Sequence, residues 1–235
     1  MIIRTNNLST MNYWIPSKTH ILVQIMSIMK VLYSVFLLSI LLISCEKGKT
    51  EFTLTGSISD NTFSQNHDGA VIKLYEVEAG GSITNLLETA TLGNDGSYSF
   101  TFPRNKVESY TVVVTKDNYF TIDESIPFSS MTISSDNVRD FGTTAKSWAK
   151  IRLINSSPLG SDHLQITKQT GKSDCTECCD NNVIDFYGAI DTTYYCINDG
   201  NTIYSYFYSV LGTPAQGILS ANTVAFDTIQ ISLTY

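Results

Sequence analysis

Histidine is scarce in this sequence, with 3 among 235 residues, and there are only 2 tryptophans, 5 prolines and 5 cysteines. So few cysteines exclude a disulfide-dense small fold, and 14 glycines with 5 prolines exclude a collagen-like or Pro/Gly low-complexity chain. Basic residues are the other shortage, since 15 Lys+Arg stand against 22 Asp+Glu for a net charge of −7. Three of those bases, Arg4, Lys18 and Lys30, precede residue 45 where no acid occurs, so the remainder is more acidic still. A chain of that sign lacks the cationic footprint that phosphate backbones demand, and no nucleic-acid partner is expected. What is plentiful is apolar: 43% of residues are hydrophobic, enough for a sizeable core and against disorder.

There is one long apolar run. Val31 to Ile43 reads VLYSVFLLSILLI, directly after Met29-Lys30 and directly before Ser44-Cys45. That is the charged n-region, apolar h-region and small-residue cleavage layout of a secretory signal. A transmembrane helix is the rival reading, but a span needs about 20 predominantly apolar residues and Lys30 would lie inside this one. Leu42-Ile43-Ser44-Cys45 resembles the lipobox of bacterial lipoproteins. The resemblance implies cleavage before Cys45 and lipidation of that residue, palmitate included, with residues 45–50 as the tether. Residues 1–28 do not read as a signal, and Met29 is the expected start. The implied location is the cell envelope, as an outer membrane lipoprotein held by its lipid. Cys45-Glu46-Lys47-Gly48-Lys49 carries no acidic run, which leaves the periplasmic and surface sides both open.

Beyond residue 50 no stretch sustains a 3.6-residue period, whereas short alternating runs of β-branched and aromatic residues recur between Gly, Asn, Asp and Ser clusters. This pattern predicts an all-β chain of sandwich type. Strands are expected at 52–58, 70–77, 88–92, 97–102, 110–116, 131–134, 149–155, 163–167, 185–190, 193–197, 202–211 and 223–234.

Four of these segments come in a telling order: Thr55-Gly56-Ser57-Ile58, Gly69-Ala70-Val71-Ile72-Lys73-Leu74-Tyr75, Asn94-Asp95-Gly96-Ser97-Tyr98-Ser99-Phe100, and Tyr110-Thr111-Val112-Val113-Val114. Residues 51–145 therefore resemble the carboxypeptidase regulatory-like, or transthyretin-like, β-sandwich. Residues 146–235 are expected to form a second, Ig-like sandwich. Gly188-Ala189-Ile190-Asp191-Thr192 and Gly200-Asn201-Thr202 in this part are similar to elements of C-terminal modules in small Gram-negative lipoproteins.

The sequence offers little catalytic chemistry. His67 lies in a polar loop, and Ser161-Asp162-His163 cannot be a relay, because adjacency in sequence does not align three side chains and no G-x-S-x-G elbow exists. Glu76 and Glu78 share a strand face about 7 Å apart, expected to be solvated. Asn94-Asp95-Gly96 and Asn198-Asp199-Gly200-Asn201 read as turns and not as calcium loops. No catalytic residue, cofactor or resident metal is expected.

Cys175, Cys178, Cys179 and Cys196 are even in number and, in an exported chain, read as two disulfides. A Cys178–Cys179 ring is strained, which leaves two pairings, each sending a bond to Cys196 from Cys178 or Cys179. A zinc site built from all four cysteines is the alternative, with a single C-x-x-C knuckle at Cys175 and Cys178. The loop Asp174 to Asn182 is the candidate recognition loop. Tyr204, Tyr206 and Tyr208 share one strand face and are candidate sugar-stacking residues, with cross-strand packing as the plainer role. The expected function is a non-catalytic, lipid-anchored binding or spacer module for a glycan or an envelope protein. The alternative is an accessory subunit of an envelope hydrolase, or a divergent enzyme.

Overall fold

The computed structural model describes residues 50–81 and 83–235, so Cys45, the signal region and most of the tether lie outside the described residues. Lys49–Tyr235 is one compact unit. Its strands in chain order begin with β1 (Glu51–Asp60), β2 (Gln65–Asn66), β3 (Val71–Val77), β4 (Ile83–Thr91), β5 (Ser97–Pro103), β6 (Ser109–Thr115), β7 (Ile122–Pro127), β8 (Asn137–Val138) and β9 (Phe141–Thr143). They continue with β10 (Lys146–Ile154), β11 (His163–Thr170), β12 (Ile184–Tyr187), β13 (Asp191–Asp199), β14 (Ile203–Val210), β15 (Gln216–Asn222) and β16 (Thr228–Thr234). The described residues are all-β apart from one 3-10 turn at Phe128–Ser130, and no helix among them is long and apolar enough to cross a membrane.

Two sandwiches result. In the first, β1 is antiparallel to β5 and β2 and parallel to β8 and β9, and this sheet faces the sheet β4-β3-β6-β7. Alternation fills the space between them: Phe52, Leu54 and Ile58 of β1, Ile72 and Leu74 of β3, and Val112 and Val114 of β6 are all buried in one cluster. In the second, β13-β10-β16 faces β12-β11-β14-β15, with β16 parallel to β10. Ile151 and Leu153 of β10 meet Leu164 and Ile166 of β11 in its core.

Two glycines are required. Gly96 has φ +65 in the turn that carries the chain from β4 in one sheet to β5 in the facing one, closed by the Gly96 N–H donating to the Gly93 carbonyl at 2.9 Å, a conformation glycine adopts without steric cost. A Cβ on Gly56 would stand 1.8 Å from the Arg139 carbonyl oxygen, so only glycine lets β1 take the β8–β9 segment against it.

Several strand expectations need correction. Met131–Ser134 is not a strand: Asn137 holds this loop, its side chain accepting from the Thr132 N–H at 2.8 Å and donating to the Thr132 carbonyl at 3.0 Å. Met131 and Ile133 owe their apolar character to packing on the first core. The strand missed nearby is β7, whose Asp123-Glu124-Ser125 is polar and exposed because it is a sheet edge. β12 ends at Tyr187, one residue before Gly188 at φ +65. Thr223 to Asp227 is a turn, and the adjacent strand is β15, another edge.

Almost no chain separates the sandwiches, since β9 ends at Thr143 and β10 begins at Lys146. The Asn61 and Ala145 N–H groups donate to the Thr143 carbonyl at 2.8 Å and to Thr62 Oγ1 at 2.9 Å. From the other side, the Gly200 and Phe226 N–H groups donate to the Ala145 and Lys146 carbonyls, both at 2.7 Å. The Phe226 ring stacks on Phe63 at 5.8 Å and meets Tyr119 edge-on at 5.3 Å, which ties the second sandwich to the first.

Candidate functional site

Four cysteines sit beside this junction. They pair as Cys175–Cys178 and Cys179–Cys196, each with a Cα–Cα distance of 5.3 Å. This is one of the two pairings the sequence left open, and it sends Cys179 to the buried Cys196 on β13. The Lys168 ammonium reaches under the loop and donates to the Lys172 carbonyl at 2.7 Å and to the Cys179 carbonyl. Burial lowers the Lys168 pKa, as desolvation does for an ammonium. The loop also borders an open cleft of about 790 Å³ between the sandwiches. Phe120 lies in its floor, with Lys172 Nζ 4.3 Å and Lys146 Nζ 5.4 Å from the ring centroid. Lys146 pairs with Glu177 at 2.7 Å and Lys172 with Asp199 at 2.8 Å, so both cations are already engaged.

The candidate catalytic groups of the sequence are dispersed. His67 is not on the surface of its polar loop: its ring is 1% exposed, edge-on to Tyr119 at 4.4 Å. Tyr119 donates in turn to the buried Asp60 at 2.7 Å. Burial first, then the Lys116 charge, lowers the His67 pKa. Glu76 likewise departs from the solvated face expected of it. It is 7% exposed and accepts from Asn85 and Asn105, both at 2.7 Å, while Glu78 falls beyond the end of β3. Asp162 accepts from Asn155 and from the Leu159 N–H, both at 2.8 Å, and not from His163.

The tyrosine row is inverted. Tyr204 and Tyr206 are 3% and 1% exposed within the second core, and Tyr208 packs against the same cluster. Their strand is covered on that side by β13-β10-β16, so the row does not present flat rings to solvent. The opposite, outward face of the same sheet carries different aromatics. Because Leu164 and Ile166 point into the core, His163 and Gln165 point out. His163 is paired with Tyr187 and Gln165 with Asp185 across the β11–β12 ladder.

On this face the His163 and Tyr187 rings stack at 4.3 Å and 23°, and Tyr187 is 64% exposed. Asp185 Oδ1 lies 2.6 Å from His163 Nε2 and accepts from Gln165 Nε2 at 2.9 Å. These bonds, Gln165 first and His163 second, hold the Asp185 carboxyl below the usual carboxylate range. The ladder continues the polar rung through Ser209 on β14 and Gln216 on β15. It is flanked by a rung of Tyr187, His163 and Leu211, the last donating its N–H to the His163 carbonyl at 2.8 Å. On the other side come Phe207 and the exposed Ile218. Phe186 and Tyr187 are adjacent in the sequence, which holds no signal of which ring faces outward.

No protein-family model matches the chain, and no curated protein matches it. Among solved structures the chain is similar to the shaft pilin SpaA of Lactobacillus rhamnosus GG, at 11% identity over 79% of this chain and 97% of that one, with a TM-score of 0.30. It is similar to the minor pilin GBS52 of Streptococcus agalactiae at 9% identity, over 78% and 94% of the two chains, with a TM-score of 0.30. The Bacillus anthracis TIE protein aligns at 11% identity and TM-score 0.30 over 79% of this chain, which spans 34% of that longer one. All three are remote likenesses.

Proposed function

We propose that the chain is a non-catalytic, lipid-anchored protein of the cell envelope, in which a regulatory-like sandwich and a second sandwich form a stiff spacer that carries a binding face for a glycan or protein partner. The observation that carries this reading is the junction. β1 enters at Glu51 and reaches the junction at Asp60, and β10 leaves it at Lys146 and runs away to Ile154. Each strand covers roughly 30 Å at the rise usual for β-structure. A tether at residues 45–50 therefore joins the first sandwich at its pole remote from the junction, and the second sandwich lies beyond it. Hydrogen bonds and the Phe63–Phe226–Tyr119 aromatic contacts resist bending between the two.

The non-catalytic part of the reading is supported by the placement of the two described histidines. His67 is sealed in the first sandwich and His163 lies on an open sheet face, engaged by Asp185. General acid–base work favours a cleft that shields the reacting groups, and neither ring lines the open cleft.

Membrane fractionation of a Cys45→Ala variant tests the anchor. The expected result is an unlipidated protein outside the membrane fraction, with mass spectrometry showing no acylated N-terminal peptide. Unchanged detergent partitioning of the variant removes the anchor from the reading.

A further inference from the structure

We propose that the outward face of β11, β12, β14 and β15 is a saccharide site, with Tyr187 as the stacking platform for a neutral sugar ring and Asp185, Gln165 and Gln216 as the hydroxyl-reading groups. This deepens the binding-module reading and rests on it.

Two features of the face argue for this ligand. The Tyr187 ring is both exposed and fixed, because His163 stacks behind it at 4.3 Å and the backbone pairs the two residues. A fixed aromatic surface offers its area to a ligand at low entropic cost. Next to it the polar rung is pre-aimed: His163 and Gln165 both engage Asp185 Oδ1, while a carboxylate retains further acceptor positions for ligand hydroxyls. Gln216 extends the rung across β15. An apolar protein partner would strip water from this polar rung without replacing its hydrogen bonds, a costly burial. A sugar meets both halves, laying its C–H face on the ring and directing hydroxyls to the rung.

Charge selects within the class. The chain carries a net −7, and the carboxylate on this rung is Asp185. Uronates, sulfated sugars and phosphorylated glycans are therefore repelled, and a neutral saccharide is favoured. Access agrees with this. β11 starts and β12 ends at the pole remote from the junction, so the Tyr187–His163–Leu211 rung lies at the end of the second sandwich away from the tether.

The test is affinity electrophoresis of the full chain in detergent, through native gels containing glycogen, laminarin, xylan or galactomannan, with polygalacturonate as the anionic comparison. At least one neutral polysaccharide should retard the protein and polygalacturonate should not. Tyr187→Ala should weaken that binding by about tenfold or more, a size usual for an aromatic anchor, and Tyr187→Phe should retain it. Because Tyr187 is exposed, Tyr187→Ala should melt at the wild-type temperature. Retardation by none of the neutral polysaccharides, equal retardation by polygalacturonate, or undiminished binding by Tyr187→Ala overturns the proposal. Each of those failures leaves the Cys45 fractionation result standing, and a chain that binds polysaccharide but fails to anchor overturns only the lipoprotein reading.

Discussion

At the scale of single residues, His67 imposes a pH dependence whose direction follows from its burial. Its Nδ1 accepts no hydrogen bond among the described residues, and Lys116 faces it together with Asp60 and Asp68. The two carboxylates pull its pKa up, but desolvation and Lys116 outweigh them, and the folded pKa lies below the ordinary 6.5. The unfolded chain therefore takes up this proton first as pH falls, and stability is lost progressively below pH 6.5 towards the folded pKa. Urea unfolding at pH 7.5 and pH 5.5 should show a lower midpoint at the acid pH. In His67→Phe, which fills the same edge-on contact with Tyr119, the difference between the two pH values should shrink. An equal drop in the variant would assign the acid sensitivity to other groups. The carboxylates whose pKa is lowered, Asp95, Asp162, Asp185 and Asp191, lose their contribution only in more acidic solution, so they do not obscure this window.

At the scale of elements, the two disulfides differ in how much chain they constrain. Cys179–Cys196 closes a separation of 17 residues and Cys175–Cys178 one of 3. Loop-closure entropy assigns roughly 3 kcal/mol to the longer and roughly 2 kcal/mol to the shorter. The paired replacement Cys179→Ser with Cys196→Ser should therefore destabilise the protein more than Cys175→Ser with Cys178→Ser. It should also free the loop from β13, whereas the second pair of changes leaves that attachment intact. Denaturant melts rank the two, and intact mass after alkylation without reductant should show no modified cysteine among these four in the wild type. Four alkylated cysteines would instead return the zinc alternative.

Element by element, the strands readable in the sequence were those with one face in a core, because burial writes a two-residue period into the text. β1, β5 and β10 are of this kind, each with alternate residues buried. The edges β7 and β15 carry little of that signal, since half of each strand's neighbours are solvent. Period alone also cannot say which face is inward. Tyr204, Tyr206 and Tyr208 alternate as well as any exposed row would, and only the opposing sheet shows that they are core. The motif glycine Gly56 was visible, but its reason, the approach of the distant Arg139, is tertiary. Cysteine chemistry was more legible: strain against a Cys178–Cys179 ring removed one of three pairings, and β13 placing Cys196 beside Cys179 chose between the others.

At the scale of the whole molecule, the question is whether two sandwiches behave as one body, since a spacer that bends freely does not hold a binding face at a fixed distance. The contact that decides this is Phe226. It has φ +67, a left-handed conformation unusual for a bulky residue, and its ring spans to Phe63 and Tyr119 of the first sandwich. A residue holds such a conformation only where its surroundings compensate, and the Phe226 N–H donating to the Lys146 carbonyl at 2.7 Å is part of that compensation. Removing the ring from this half-exposed position should cost about 1 kcal/mol of apolar burial. The consequence for cooperativity should be larger than the cost, because the two cores are separate clusters and this aromatic contact, beside the Lys146 and Lys172 ammoniums over Phe120, links the sandwiches that hold them. Calorimetry of the wild type should give one transition, and Phe226→Ala should split it into two. Phe226→Gly, which removes the ring but relaxes the backbone, should split the transition as well while losing less total stability. Small-angle scattering should show the same two variants sampling a broader range of dimensions than the wild type. A single sharp transition in all three proteins, with identical scattering, would mean that the backbone hydrogen bonds around Ala145 and Lys146 fix the angle without help from the ring.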